Sequence, residues 1–226
     1  CMFQDFGIIS AQGWWLIPLA LILCVGIINA YNFMDGINGI TGGYSLAVLI
    51  PLMYINGEFP FIDMNFIIVA ILGVLVFNVF NFRKKAKCFA GDVGSVGIAF
   101  IILFALGKLI ILSGNFTYIM LLAVYGVDSV LTIIHRIMLH ENLGEAHRKH
   151  VYQLMANELK VPHIAVSFIY MLLQLGVSFG LIFIPINNWI YSVAALAVLC
   201  GGYVAFKKKY YHLHEEYLKS LTLLEK

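Results

Sequence analysis

The chain has 226 residues, 62% of them hydrophobic and only 12% charged, with a formal net charge of +2. A soluble domain carries about 25% charged residues, and here the apolar residues gather in long blocks rather than alternating with polar ones. That excludes an ordinary water-soluble fold and points to an integral membrane protein, with no nucleic-acid partner expected.

In chain order, the blocks fall at 13–30, 42–56, 64–81, 95–113, 116–134, 163–185 and 188–206. Each approaches the roughly 20 residues that cross a ~30 Å hydrocarbon core as a helix. The 42–56 block is short and holds Pro51, so it is the weakest of the seven and reads as a tilted or kinked span. A bilayer tolerates no open sheet edge, and the blocks lack the alternation of barrel strands, so the spans are helices.

The first block is preceded by "CMFQDFGIISAQG", which has no basic region of a signal peptide. It is followed by "YNFMDGINGITGG", residues 31–43. Asn32, Asp35 and Asn38 stand at i, i+3 and i+6, so a helical continuation would align them on one face. Gly36 and Gly39 permit turns and close approach of a ligand. The bland alternative is a capped helix end followed by a turn.

Between the third and fourth blocks comes "NFRKKAKCFAGDVGS". Gly91 and Gly94 flank Asp92, and Ser95 is placed to cap the following helix. A carboxylate beside the N–H groups of a helix N-terminus suits Mg²⁺ together with phosphate oxygens. Arg83, Lys84, Lys85 and Lys87 just upstream serve topology, or attract anionic lipid or substrate.

Asp128 lies inside the fifth block, about two turns before Arg136. An intramembrane carboxylate is either functional or bound to a neighbouring helix, and the sequence leaves both open. The loop that follows holds His135, His140, His147, His150, Arg136 and Arg148. His147 and His150 are i, i+3, but no third zinc ligand of suitable spacing accompanies them. "EAHRKH" fits contacts to a diphosphate or sugar better, with plain interfacial decoration as the alternative. Cys1, Cys24, Cys88 and Cys200 show no metal or redox spacing.

The basic residues alternate by loop. The 81–95 loop, the 135–162 loop and the tail carry Lys and Arg, whereas "NGEFPFIDMN", "SGNFT" and "PINN" carry none. With seven helices, the positive-inside rule puts the N-terminus outside and the C-terminus in the cytoplasm. The expected fold class is thus an all-α integral membrane protein of about seven transmembrane helices. Residues 1–206 form the multi-span region and 207–226 a basic cytoplasmic tail, with "KKKYYHLHEEYLKSLTLLEK" reading as a short interfacial helix.

The three loops together resemble motifs of the polyprenyl-phosphate N-acetylhexosamine-1-phosphate transferases, glycosyltransferase family 4. "NAYNFMDGINGI" is similar to the family's N-x-x-N-x-x-D-G-[IL]-[DN]-G-[IL], "FAGDVGS" to its F-x-G-D-x-G-S loop, and "GEAHRKHVYQ" to its histidine loop in the branch that initiates O-antigen and related polysaccharides. The resemblance implies attack of a polyprenyl phosphate, undecaprenyl phosphate above all, on the β-phosphorus of a UDP-N-acetylhexosamine such as UDP-GlcNAc. UMP leaves, and Mg²⁺ is required, with Mn²⁺ as a substitute.

By the match, Asp92 is the metal ligand, and Asp35, Asp92, His147 and His150 are the catalytic set. Asn29, Asn32, Asn38, Phe89, Gly91, Arg136 and Arg148 bind substrate, with Phe89 stacking on the uracil. The implied location is the bacterial cytoplasmic (inner) membrane, with the site facing the cytoplasm and a homodimer left open. Two features depart from the family: Asn38 stands where many members have Asp, and no adjacent aspartate pair occurs in the chain. Together with the count of seven spans against the family's ten or eleven, this leads to the expectation of an N-terminally truncated member that is inactive by itself. The competing reading is a transporter or channel that uses Asp128 and Lys108.

Overall fold

A computed structural model describes residues 16–145 and 148–224. The described residues are helical, with connecting turns. Seven segments are long and apolar enough to cross a membrane: Ile17–Met34, Ile40–Glu58, Met64–Asn81, Gly91–Ser113, Phe116–Met138, His163–Phe183 and Asn188–Tyr217. All seven predicted blocks are among them, and the chain is a multi-pass membrane protein.

The helices are α1 (Leu16–Met34), α2 (Ile40–Glu58), α3 (Met64–Asn81), α4 (Gly91–Ser113), α5 (Ala123–Met138), α6 (Val151–Gln153), α7 (His163–Phe183) and α8 (Asn188–Leu224). A 3-10 turn, Phe116–Leu122, begins the span that α5 completes. The boundaries follow local chemistry. Asp63 caps α3 by accepting from the Asn65 N–H at 2.8 Å. Asn115 does the same for the 3-10 turn through Thr117 at 3.0 Å. Gly114, at φ 64°, ends α4 in the left-handed conformation.

The weakest span in the sequence is the central helix of the fold. α2 packs against α7 and α3, and 72% of its membrane window is buried, against 11% for α1 and 6% for the last span. A helix surrounded by protein need not match lipid, so α2 accommodates Gly42, Gly43, Ser45, Asn56 and Pro51 and has the lowest hydropathy of the seven. Its buried Tyr44 ring stacks on Tyr125 of α5, with centroids 3.5 Å apart. Tyr44 also donates to Gln174 of α7 at 2.7 Å. Residues 207–224 continue α8 directly, where the sequence reading places a separate interfacial helix.

Candidate active site

The polar loops meet at one end of the bundle. α1 stops at Met34, Asp35 and Gly36 leave the helix, and Gly39 turns into α2 at φ 85°. The expected alignment of Asn32, Asp35 and Asn38 on one continuous helix face is therefore corrected: the helix breaks between the first residue and the other two. Gly39 is required for its backbone angle, and a Cβ there would also lie 2.5 Å from the Phe82 ring.

Each side chain of this turn has its own partner. Asn32 Oδ1 accepts from Ser95 Oγ at 3.0 Å, joining the end of α1 to the start of α4. Ser95 is thus a cross-helix strut rather than the predicted N-cap, because α4 already begins at Gly91. Asn38 Nδ2 donates to the carbonyls of Arg83 and Lys84 at 3.1 and 3.3 Å. The Gly39 N–H donates to buried Asn81 Oδ1 at 2.7 Å, and Asn81 in turn donates to the Cys88 carbonyl at 2.7 Å. Ser167 of α7 donates to the Asn38 carbonyl at 2.8 Å. The first loop is held from three sides.

Asp35 accepts from Thr41 Oγ1 at 2.6 Å and from the Gly91 N–H. Burial pushes its carboxyl above the usual aspartate range. The Thr41 and Gly91 hydrogen bonds oppose that rise, and the negative charge of Asp92 adds to it. Asp92 is exposed in the first turn of α4. The fold thus brings two carboxylates from separate loops within electrostatic reach beside a helix N-terminus. Among the described residues no group of three or more His, Cys, Asp or Glu side chains forms a metal cage. Two carboxylates suit an ion such as Mg²⁺, which takes one or two and draws its remaining ligands from water and phosphate. Phe89 is 74% exposed and lines a cavity of about 320 Å³ with Thr41, Ser45 and Phe77. Asn29 lies exposed on α1, one turn before Asn32.

The histidine loop is organised from within. Asp128 is buried in α5, where Oδ1 accepts from the Val151 N–H at 3.1 Å and Thr132 Oγ1 at 3.2 Å. Tyr170 donates to Oδ2 at 2.6 Å. His150 Nδ1 lies 3.3 Å from Oδ1, and His150 itself is 2% exposed. Arg136, 4% exposed, donates to Glu141 at 3.2 Å and to the carbonyls of Asn142, Leu143 and Glu145. Glu141 also pairs with Lys149. Partial burial acts to raise the Glu141 carboxyl, but the Lys149 and Arg136 bonds and charges outweigh it and hold the group below the usual range.

The loop docks onto the first motif through Tyr152, whose hydroxyl donates to the Phe33 carbonyl at 2.8 Å. Burial and the charges of Asp128 and Asp35 raise the Tyr152 phenol, so it stays a donor. A Cβ on Gly36 would collide with that hydroxyl.

The structure therefore gathers Asn32, Asp35, Gly91 and Asp92 at one place, with Phe89 open nearby. Arg136 and His150 are engaged inside the histidine loop, so in the fold they act as its framework. Arg148 is exposed and lines a different cavity, with Asn157, Glu158 and Lys160. His147 lies outside the described residues. Thr41, Asn81, Tyr152 and Tyr170 were not singled out in the sequence; the first three stand inside the quoted polar stretches that could have flagged them, whereas Tyr170 lies in an apolar span with no such signal. Lys108, the other half of the transporter reading, has its ammonium 5.9 Å from the Phe104 ring, and both carboxylate oxygens of Asp128 are bonded.

Residues 1–111 match the family model described as Glycosyl transferase family 4. The phospho-N-acetylmuramoyl-pentapeptide-transferase of Thermotoga neapolitana is 41% identical over 93 residues, 41% of this chain and 30% of that protein. The probable undecaprenyl-phosphate N-acetylglucosaminyl 1-phosphate transferase of Bacillus subtilis is 33% identical over 151 residues, 64% of this chain and 42% of that protein. The chain spans less than half the length of these relatives.

Proposed function

Through residues 1–111 the chain belongs to glycosyl transferase family 4, and on that premise we propose that the protein transfers an N-acetylhexosamine 1-phosphate from a UDP-sugar to a polyprenyl phosphate. The acceptor is undecaprenyl phosphate and the donor UDP-GlcNAc or a close relative. A phosphate oxygen of the lipid forms a bond to the β-phosphorus, the bond to the UMP oxygen breaks, and polyprenyl-diphosphate-sugar and UMP are the products. The basic end of the bundle faces the cytoplasm of a bacterial inner membrane, where UDP-sugars are found.

The observation that carries this reading is the junction of the first loop with the start of α4, where Ser95 donates to Asn32 and Asp35 lies within electrostatic reach of Asp92 at the helix N-terminus. A diphosphate is the ligand for which such a place is suited, through helix N–H groups on the phosphates and carboxylates for the accompanying cation. Asp92 would hold Mg²⁺ with Asp35 beside it, and the ion would neutralise charge on the diphosphate. Phe89 offers an open ring face to the uracil. Asn32 and Asn38 hold the floor, and the motif match of "GEAHRKHVYQ" assigns His147 and Arg148 to the diphosphate. Asp128 and Arg136 keep that loop in shape. The reading also has the 226 residues inactive by themselves, since they contain no adjacent aspartate pair.

The test is sugar-phosphate transfer by the protein expressed from its full reading frame, with Asp92→Asn beside it. The reading expects a loss of two to three orders of magnitude, on the order of one lost charge-stabilising group. Turnover of Asp92→Asn at the parent rate removes the assignment.

A further inference from the structure

At the basic end of α8, Lys207 is only 6% exposed. Its ammonium lies 3.2 Å from His135 Nδ1 and over the rings of Tyr203 and Tyr211, 5.1 and 5.5 Å from their centroids. Among the described residues it forms no ion pair with a carboxylate. Glu141 and Asp128 are felt only at a distance, and Lys149 opposes them. A buried ammonium without an anionic partner is costly, and ring faces compensate for only part of that cost.

Lys207 borders a groove of about 550 Å³ between α5 and α8. Its walls are apolar at Leu131, Ile134, Met138 and Val204, and its rim carries Lys208 and His212. Ile134, Met138 and Val204 are well exposed, so the groove opens sideways from the bundle. Lys207 stands 19 residues beyond Asn188, where α8 begins. At 1.5 Å per residue that is about 28 Å, the far edge of a ~30 Å hydrocarbon core. The ammonium is therefore at headgroup depth, with apolar walls below it.

The geometry points to a binding site for an anionic glycerophospholipid of the bilayer, with its phosphate against Lys207 and Lys208 and an acyl chain along Leu131, Ile134 and Val204. Charge complementarity selects the headgroup, and the apolar walls select a lipid over a soluble anion. The site is separate from Asp35 and Asp92. It connects to the histidine loop, because Tyr203 shares a 2.8 Å hydrogen bond with Thr132, which donates to Asp128.

Native mass spectrometry tests this on the protein expressed from its full reading frame, titrated with phosphatidylglycerol, phosphatidylcholine and undecaprenyl phosphate. Phosphatidylglycerol is expected to bind about fivefold tighter than phosphatidylcholine, the scale of one basic residue at a membrane surface. Lys207→Gln should abolish that preference and Lys207→Arg should keep it. Val204→Trp, which fills the exposed apolar wall and leaves Lys207 unsubstituted, should weaken phosphatidylglycerol binding. Equal affinity for the two phospholipids, or an undiminished preference in Lys207→Gln or Val204→Trp, overturns the site. Displacement of phosphatidylglycerol by an equal concentration of undecaprenyl phosphate overturns the phospholipid assignment.

Discussion

Asp128 and His150 are 22 residues apart and meet inside the protein, with His150 Nδ1 3.3 Å from Asp128 Oδ1. The same carboxylate accepts from Tyr170 and from the Val151 N–H. One buried group in α5 therefore anchors the far end of the histidine loop to α7. Removing it takes this acceptor from the Tyr170 phenol, the Val151 N–H and the Thr132 hydroxyl. Asp128→Ala should destabilise the protein by about 3 kcal/mol, in the range of a broken buried network, and Tyr170→Phe by about 1 kcal/mol. Unfolding in detergent checks the order; an Asp128→Ala protein as stable as the parent contradicts the anchor.

Gly36 and Tyr152 form the contact between the first motif and the histidine loop. A methyl group at Gly36 meets the Tyr152 hydroxyl, while the hydroxyl itself holds the Phe33 carbonyl. Gly36→Ala should cost about 2 kcal/mol by overpacking. In a Tyr152→Phe background the colliding atom is gone, so the same change should cost less. A double-mutant cycle reads the difference, and strict additivity contradicts the contact.

Asn38 donates to two carbonyls of the neighbouring basic loop. Asn38→Ala removes both bonds and should cost about 1–2 kcal/mol. Asn38→Asp sets an acceptor against two acceptors and should cost more at neutral pH, with the excess disappearing as the carboxyl protonates. Stability of the two variants at pH 4 and 7 distinguishes them. An Asn38→Asp protein as stable as the parent at pH 7 contradicts the bonding scheme.

The raised Asp35 carboxyl carries a pH signature. Its folded value lies above the unfolded one, so its contribution to stability is complete below the ordinary value of about 3.9 and is lost as pH rises through the folded value. A cation held by Asp92 and Asp35 favours the charged form, so the acid limb of activity should lie above the usual aspartate range at low Mg²⁺ and move down as Mg²⁺ increases. Rates measured against pH at several Mg²⁺ concentrations test it, and a limb that stays in place contradicts shared binding.

The spans were legible because hydrocarbon demands about 20 apolar residues for every crossing. α2 was least legible because it is buried in protein and freed from that demand. The breaks at Asp35-Gly36 and Gly39 were readable as polar and glycine signals. The bonds that assemble the site were not, since Asn38 and Arg83 are 45 residues apart and Tyr152 and Phe33 are 119 apart. No periodicity encodes such a pair. Arg136 read as a ligand for the same reason: its charge is visible in the chain, but the carbonyls that surround it are set by the fold. The tail reads as interfacial because its charges interrupt the apolar pattern, yet α8 runs 37 residues without a break, about 55 Å of helix against a ~30 Å hydrocarbon core.

The most direct measurement is transfer of labelled sugar phosphate from UDP-GlcNAc to undecaprenyl phosphate in reconstituted membranes, by the protein from its full reading frame, with Mg²⁺ and with EDTA. The account predicts labelled lipid diphosphate and UMP in equal amounts, abolished by EDTA and by Asp92→Asn. Lipid product formed at the same rate in EDTA, or by Asp92→Asn, would contradict it.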